Sequence, residues 1–253
     1  MASNPPGPCC FTGFKHEGNP TGETIFIGNV TAYVARPKSD IKAHQAVLIL
    51  SDVFGIYTNS QLLADDFAAN GYLAVLPDIL SGDQMNIGDF EAGKIDIPDW
   101  ISRHGTDAVD PIVEATLKDM RQELGIRRIA AAGYCFGGKY LARFLKSGKI
   151  DIGYSAHPSF ISEEELAAIE NPFSISAAEI DGLFTRELRH KSEEILSKTG
   201  KPYQLNLLSG VEHGFAVRAD LSKPQNKFAK EQAFVQALGW FDSELQPASA
   251  PAS

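Results

Sequence analysis

The sequence predicts an α/β fold: a mostly parallel, twisted β-sheet with helices on both faces and an antiparallel hairpin on its N-terminal side. Three observations support this prediction. Apolar runs of strand length alternate along the chain with segments that have the apolar spacing of a helix. Several of these runs are apolar throughout, as expected for strands that are covered on both faces. Glycine or proline ends several of these segments: Gly71 and Gly125 close helical ones, and Pro77 closes a strand.

The elements follow from these signals in chain order. Thr24–Ile27 and Val30–Ala35 predict the hairpin, because Gly28-Asn29 between them supplies the positive φ angles of a tight turn. Further strands are predicted at Ala46–Leu50, Tyr72–Leu76, Arg128–Ala132, Asp151–Ala156, Phe173–Ala178 and Tyr203–Leu208. Helices are predicted at Asn59–Asn70, Asp107–Leu124, Tyr140–Leu145, Glu163–Ile169, Phe184–Thr199 and Pro224–Leu245. The expected core anchors of the last helix are Phe228, Phe234, Leu238, Trp240 and Phe241.

One long irregular stretch, residues 79–106, breaks the alternation after the strand Tyr72–Leu76. In a compact domain an irregular segment of this length is usually functional. It follows the C-terminal end of a strand, which is where ligand crevices lie in open α/β sheets. We therefore expect a lid or substrate wall, with apolar surface from Phe90 and Trp100; plain core packing is the alternative for both side chains.

Length and composition restrict the class of protein. A chain of 253 residues with 43% hydrophobic and 22% charged residues predicts one domain, residues 21–246, between an irregular arm (residues 1–20) and a disordered tail (247–253). The net charge of −9 and the absence of Lys/Arg runs argue against nucleic-acid binding. With no span-length apolar run and no leader-like N-terminus, we expect a cytoplasmic protein without a membrane segment. The sequence leaves a homodimer open.

The cysteines point to a reducing compartment. There are three, an odd number, and Cys9 and Cys10 are adjacent, so the sequence suggests no disulfide framework. No second ligand pair stands at zinc-site spacing from these two residues, so we expect an N-terminal loop and no metal there.

The third cysteine lies in a distinctive motif, Gly133-Tyr-Cys135-Phe-Gly137. It joins a predicted strand to a predicted helix and has the form G-x-S-x-G with cysteine in place of serine. Such a turn lifts a nucleophile clear of the sheet, and its glycines allow strand and helix to approach where a Cβ would clash. A buried structural cysteine beside a glycine-rich turn is the alternative.

An acid and a base follow Cys135 in a suitable order. Asp181 comes after the next-to-last predicted strand, although an aspartate in a turn more often accepts local backbone hydrogen bonds. Glu179 is the alternative acid. His213 follows the last strand in a loop flanked by glycines, where it could pair with Cys135 through one ring nitrogen and with Asp181 through the other. Four other histidines are expected to be solvated: His16, His44, His104 and His190.

Together, these motifs resemble the dienelactone hydrolase family of α/β-hydrolases. The resemblance rests on residues 133–138, His157-Pro-Ser-Phe160, Glu179-Ile-Asp181 and His213-Gly-Phe215, and extends from Cys9 to Trp240. Cys9-Cys10, followed by residues 16–22, resembles the opening of the fungal branch.

The resemblance implies a mechanism and a site. An α/β-hydrolase of this family would cleave an ester, lactone or thioester through a Cys135-His213-Asp181 triad and an acyl-thioenzyme, without cofactor or metal. The backbone N–H groups of Phe136 and Val53 would form the oxyanion hole. It would also place His157 near the active site, although a structural role is the default expectation for this residue.

Two departures from the bacterial members argue against dienelactone itself as substrate. Asp52 stands where they have a glutamate that contacts the thiol, and we expect its shorter carboxylate within hydrogen-bonding range of Cys135. Residues 79–83 contain no arginine to hold a substrate carboxylate, and Arg218 lies one residue beyond the position of a second one. A polyketide-processing enzyme using the same site and a non-catalytic small-molecule-binding protein are the alternative functions.

Overall fold

An eight-stranded sheet organises the computed structural model, which describes residues 18–38, 42 and 44–245. The strands are β1 (Glu23–Ile27), β2 (Val30–Ala35), β3 (Gln45–Leu50), β4 (Leu73–Pro77), β5 (Arg128–Tyr134), β6 (Ile152–Ala156), β7 (Phe173–Ile180) and β8 (Tyr203–Glu212). Their order across the sheet is β1-β2-β4-β3-β5-β6-β7-β8. The first two pairings, β1 with β2 and β2 with β4, are antiparallel, and all others are parallel. The predicted fold class is confirmed.

Helices cover both faces of the sheet. They are α1 (Thr58–Ala69), α2 (Ile87–Glu91), α3 (Ile97–Arg103), α4 (Thr106–Gln122), α5 (Phe136–Phe144), α6 (Glu163–Ala167), α7 (Arg186–Leu196), α8 (Phe215–Arg218) and α9 (Pro224–Leu245). Apolar residues of α4 to α7 join one core cluster, and those of α1, α8 and α9 join the other. Because strand side chains alternate between faces, Ile129 and Ala131 of β5 enter the first cluster, while Ala130, Ala132 and Tyr134 enter the second.

The stretch 79–106 is more regular than predicted, because it contains α2 and α3. Each short helix begins with a side-chain cap: Asn86 accepts a hydrogen bond from the N–H of Asp89, and Asp96 accepts one from the N–H of Asp99. These Asn and Asp residues, with Pro98 in the first turn of α3, are recognisable helix starts. The irregular assignment was wrong because each helix is too short to show a periodic pattern.

The prediction for α9 was right in extent but wrong in one anchor. Phe228 is 53% exposed, whereas Ala229, Ala233 and Ala237 face the core. Small side chains let this helix approach the sheet closely, and Phe241 fills the space near its C-terminal end. Phe234, Leu238 and Trp240 are only partly buried, against the same cluster.

The predicted N-terminal arm, with Cys9, Cys10 and His16, lies almost entirely outside the described residues, as does the predicted tail, 247–253. The single domain over 21–246 stays a prediction. In the part of the chain that the structure describes, no helix has both the length and the apolarity to cross a membrane.

Candidate active site

Cys135 occupies the turn between β5 and α5 in a conformation that side chains rarely adopt, with φ of 50° and ψ of −112°. The flanking glycines are needed there for close approach. A Cβ on Gly133 would lie 2.9 Å from the carbonyl oxygen of Gly137, and one on Gly137 would lie 2.0 Å from the carbonyl oxygen of Leu50 in β3. Helix α5 can therefore begin directly against the ends of β3 and β5 only with glycine at these positions.

Asp181 and His213 come directly off the ends of β7 and β8, which run two to four residues further than predicted. The Nδ1 atom of His213 lies 2.9 Å from Oδ2 of Asp181, and both side chains are buried. The other carboxylate oxygen accepts hydrogen bonds from the N–H groups of Leu183 and Phe184. Asp181 is thus both a turn acceptor and the partner of the imidazole. Glu179, the alternative acid, is exposed and accepts a hydrogen bond from the N–H of Gly210.

The surroundings of His213 favour its protonated form. Burial lowers its pKa, but the negative charges of Cys135 and Asp181 act more strongly in the opposite direction and raise the pKa to about 10. Since a carboxylate only accepts, the Nδ1–H group donates a hydrogen bond to Asp181, and Nδ1 keeps its proton in both charge states of the ring. The Nε2 atom is buried and makes no hydrogen bond of normal geometry within the described residues. It is the ring nitrogen that remains for the thiol.

His157 packs directly against His213, although a structural role was the default expectation for this residue. Its ring centroid is 4.9 Å from that of His213, edge to face, and the side chain is fully buried. The residue also has a positive φ of 39°. Neither ring nitrogen has a hydrogen-bond partner among the described residues. Burial, together with the nearby positive charges of His213 and Arg218, lowers the pKa of His157 well below its usual value, so the ring is neutral.

Asp52 does not make the expected contact with the thiol. Its Oδ1 accepts a hydrogen bond from the N–H of Phe54, and its Oδ2 accepts one from the hydroxyl of Tyr57 at 3.1 Å. The same oxygen lies 3.4 Å from Nε of Arg218, and both charged side chains are buried. The expectation was wrong because a short carboxylate in this turn reaches these donors instead. Burial raises the pKa of Asp52, and the positive charge of Arg218 offsets the rise only in part.

A further side chain contacts the thiol: Ser159, a residue that the sequence motifs did not single out for a role. Its hydroxyl oxygen lies 3.5 Å from Sγ of Cys135, and its N–H donates a hydrogen bond of 3.0 Å to the carbonyl oxygen of Cys135. The residue is fully buried in the loop after β6. Since β6 is the neighbour of β5, a polar residue just after its C-terminal end was the available signal.

The two expected oxyanion donors come from adjacent strand ends. Phe136 is the first residue of α5, and Val53 lies in the turn after β3. The register of these strands pairs Leu50 with Gly133, so both residues leave the sheet at the same edge. Neither backbone N–H donates a hydrogen bond to another residue of the described chain. Both donors are thus uncommitted.

Trp100 packs behind the turn and does not form an open substrate wall. It is buried, its Nε1 donates to the carbonyl oxygen of Asp83, and its ring meets that of Phe136 at 5.5 Å, edge to face. His104 stacks on Trp100 at 3.9 Å and is buried, so its predicted exposure was wrong. Phe90 is partly buried and contacts the ring of Phe54.

A cleft of about 500 Å³ adjoins the site. His213, Phe215 and Arg218 line it, together with Glu212, Asp220 and Lys223. Among the residues that the structure describes, no three His, Cys, Asp or Glu side chains form a group that could hold a metal ion.

The sheet order, the turn between β5 and α5, and the origin of Asp181 and His213 at the ends of β7 and β8 are those of an α/β-hydrolase. The sequence pattern of the Dienelactone hydrolase family matches residues 30–245. The chain belongs to this family and is one of its hydrolases.

Relatives and solved structures agree with this assignment. The chain is 49% identical to hydrolase pyvD of Aspergillus violaceofuscus over 97% of its own length and 100% of that protein. It is 44% identical to hydrolase tropI of Talaromyces stipitatus, over 97% and 99% of the two chains. A dienelactone hydrolase-like promiscuous phosphotriesterase from metagenomic libraries has the same fold, with a TM-score of 0.67, 15% identity and coverage of 88% and 98%. A thermophilic esterase from Thermogutta terrifontis gives a TM-score of 0.63 at 15% identity, covering 92% and 97%.

Proposed function

We propose that the protein cleaves an ester, lactone or thioester bond of a small molecule with Cys135 as nucleophile, His213 as base and Asp181 as the acid that orients the base. The observation that carries the proposal is the 2.9 Å contact between His213 and Asp181 beside the strained turn at Cys135. The acid fixes the imidazole so that Nε2 serves the thiol, and the raised pKa of His213 favours transfer of the thiol proton to Nε2, which leaves a thiolate beside an imidazolium.

The reaction follows in two halves. The thiol proton passes to Nε2 of His213, the S–C bond forms, and the carbonyl π pair moves onto oxygen. The N–H groups of Val53 and Phe136 would then hold this oxyanion. When the oxyanion collapses, the bond to the leaving group breaks, the leaving group takes the proton from His213, and an acyl-thioenzyme remains. Water then attacks the acyl carbon while His213 takes its proton. When this second oxyanion collapses, the C–S bond breaks, the sulfur takes the proton from His213, and the acid is released.

We further propose that Asp52 and Arg218 affect which substrates bind, because each side chain neutralises the charge of the other. A buried Arg218 whose charge is opposed by Asp52 at 3.4 Å offers little to a substrate carboxylate. The proposal therefore favours neutral acyl groups over the free carboxylate of a dienelactone. His157 and Trp100 would modulate the site by contact with His213 and Phe136.

The proposal is tested first at Cys135. With aryl esters as substrates, Cys135→Ala should abolish hydrolysis, and Cys135→Ser should keep only a trace, because a site suited to a thiolate gives an alkoxide too little help. The variants should stay folded by circular dichroism, although removal of a buried sulfur will lower the melting temperature slightly. Hydrolysis at the wild-type rate by Cys135→Ala would refute the assignment.

The same assay separates one catalytic unit from independent contributions. His213→Ala and Asp181→Asn should each reduce kcat by orders of magnitude, and the double variant should be hardly worse than the worse single variant. Glu179→Gln is the matched control, because the exposed Glu179 carboxylate meets Gly210 instead of an imidazole. Additive losses would mean that Asp181 acts on something other than His213.

The alternatives remain distinguishable. A polyketide-processing enzyme using the same site would release, isomerise or cyclise its substrate, and mass spectrometry of the product separates these outcomes from simple hydrolysis. Membership in a family of hydrolases disfavours the non-catalytic binding protein. The cytoplasmic location, the lack of nucleic-acid binding and a homodimer stay predictions.

A further inference from the structure

Ser159 is tied to Cys135 by two contacts from a different strand end. Its hydroxyl oxygen is 3.5 Å from the sulfur, and its backbone N–H holds the carbonyl oxygen of the same cysteine. The side chain is fully buried, and a buried hydroxyl needs a hydrogen-bond partner. The sulfur of Cys135 is a partner that the structure gives to it.

Several other polar groups near the thiol have partners of their own. The hydroxyl of Tyr57 donates its proton to Asp52, and Asp52 is further occupied by the N–H of Phe54 and by Arg218. His213 donates its Nδ1 proton to Asp181. Ser159 is a neutral donor whose oxygen lies within hydrogen-bonding distance of the sulfur, so that its O–H can turn toward it.

We propose that Ser159 is a further catalytic residue, whose hydroxyl donates a hydrogen bond to the Cys135 thiolate. This inference rests on the proposed function, because it presupposes that Cys135 is the nucleophile. In the resting thiol the S–H or the O–H donates. When the S–H bond breaks and the proton binds Nε2 of His213, the O–H of Ser159 stays intact and points at the sulfur anion. Hydrogen bonds to an ionised acceptor are roughly twice as strong as neutral ones.

The effect of this hydrogen bond differs between the two stages of attack. It is strongest while the sulfur carries the charge and weakens as the S–C bond forms, because the charge then moves to the carbonyl oxygen. Ser159 should therefore raise the fraction of thiolate at neutral pH and reduce the intrinsic nucleophilicity of that thiolate, since nucleophilicity falls with basicity. The net benefit is confined to pH values at which the thiol would otherwise stay protonated.

Several charged or titratable groups from other elements act on the thiol directly or through a neighbour, and any test has to hold them constant. His213 after β8 and Tyr57 before α1 interact with Cys135 directly. Four more groups act on these two: Asp181 after β7 and His157 after β6 on His213, and Asp52 after β3 and Arg218 at the end of α8 on Tyr57. Substitution of Ser159 leaves all six in place. A shift seen in its variants then belongs to the hydroxyl.

The experiment is a titration of the thiolate by its ultraviolet absorbance, which needs no reagent to reach the buried sulfur. The background carries Cys9→Ser and Cys10→Ser, and the same protein with Cys135→Ala is subtracted. Ser159→Ala should move the midpoint upward by about one pH unit, which corresponds to about tenfold less thiolate below the midpoint. Ser162→Ala is the matched control: its hydroxyl caps α6 by accepting from the N–H of Glu165, and the midpoint should not move.

A second readout separates this role from a structural one. In Ser159→Ala, kcat/KM should fall about tenfold at neutral pH and recover at alkaline pH, where the thiolate is fully formed. A merely structural serine would lower the rate at every pH. Ser159→Gly also removes the hydroxyl and serves if Ser159→Ala does not fold. An unchanged midpoint in the folded variant overturns the inference.

Failure of the inference and failure of the proposed function give different results. The titration uses no substrate, so a midpoint shift in a protein whose ester hydrolysis does not depend on Cys135 would support the contact and reject the nucleophile. An unmoved midpoint together with Cys135-dependent hydrolysis would reject the role of Ser159 and leave the proposed function standing.

Discussion

At the scale of single residues, the pair formed by Asp52 and Arg218 shows how burial changes the contribution of an ion pair to stability. Both side chains are almost fully enclosed, so each charge has lost its hydration and depends on the other and on nearby dipoles. The hydrogen bonds from Phe54 and Tyr57 complete the shell of the carboxylate. Removing one member of such a pair leaves a buried charge without its countercharge.

We therefore predict that Arg218→Met lowers the free energy of unfolding by about 3 kcal/mol or more, because Asp52 is then buried without its countercharge. The double variant Asp52→Asn/Arg218→Met removes both charges and should be more stable than the single variant. Urea denaturation of both proteins measures the difference. A double variant less stable than Arg218→Met would show that Arg218 is not the group that stabilises the carboxylate.

Much of the site followed from chain order. In a parallel sheet the C-terminal ends of the strands lie along one edge, so Cys135, Asp181 and His213 were expected on the same side of the sheet. Asp181 and His213 follow the neighbouring strands β7 and β8 and are in contact, whereas β6 separates them from β5. Contacts between side chains of different segments could not be predicted in this way. Whether Asp52 meets the thiol or Arg218, and whether His104 is solvated or stacked on Trp100, depends on packing between segments distant in sequence.

At the scale of elements, the start of α5 depends on the lack of side chains in its first turn. Gly137 lies against the backbone of β3, whereas Gly239 lies in α9, where a Cβ would have no heavy atom of another described group within 4 Å. Neither glycine has a positive φ. A substitution at Gly137 therefore tests the close approach of α5 to β3, whereas one at Gly239 tests helix propensity alone.

We predict opposite effects of the same substitution at these positions. Gly137→Ala should destabilise the protein by about 3 kcal/mol or more, because its Cβ would lie 2.0 Å from the carbonyl oxygen of Leu50, which cannot move without disturbing β3. Gly239→Ala should stabilise it by about 0.5–1 kcal/mol through helix propensity. Melting temperatures of the two variants measure both. Equal stability of Gly137→Ala and wild type would contradict the tight approach of α5 to β3.

At the scale of the whole molecule, the buried ionisable groups make stability depend on pH in opposing directions. The raised pKa of His213, about 10 against 6.5, contributes stability that is fully present below pH 6.5 and lost as pH rises through 10. The lowered pKa of His157 contributes stability that is lost as pH falls below 6.5. Lys230, whose pKa burial lowers to about 7, opposes His213 on the alkaline side.

We predict that a comparison with His213→Gln isolates the contribution of this imidazole. The melting temperature of the wild type should fall relative to that of the variant as pH rises from 6.5 to 10, by about 5 °C or more, while Lys230 affects both proteins alike. Differential scanning fluorimetry at a series of pH values measures the difference. Parallel curves across this range would mean that His213 does not gain a proton on folding.

Full burial of Cys135 makes access to its sulfur a kinetic event of its own. Any molecule that reacts there has to wait for a transient opening, so the observed rate is the product of the open fraction and the rate within the open state. At high concentration of the reacting molecule, the opening itself becomes limiting and the rate stops rising. A bulky ester needs a wider and rarer opening than a small one. The enzyme would then discriminate between acyl groups by size, because openings wide enough for a large group occur less often.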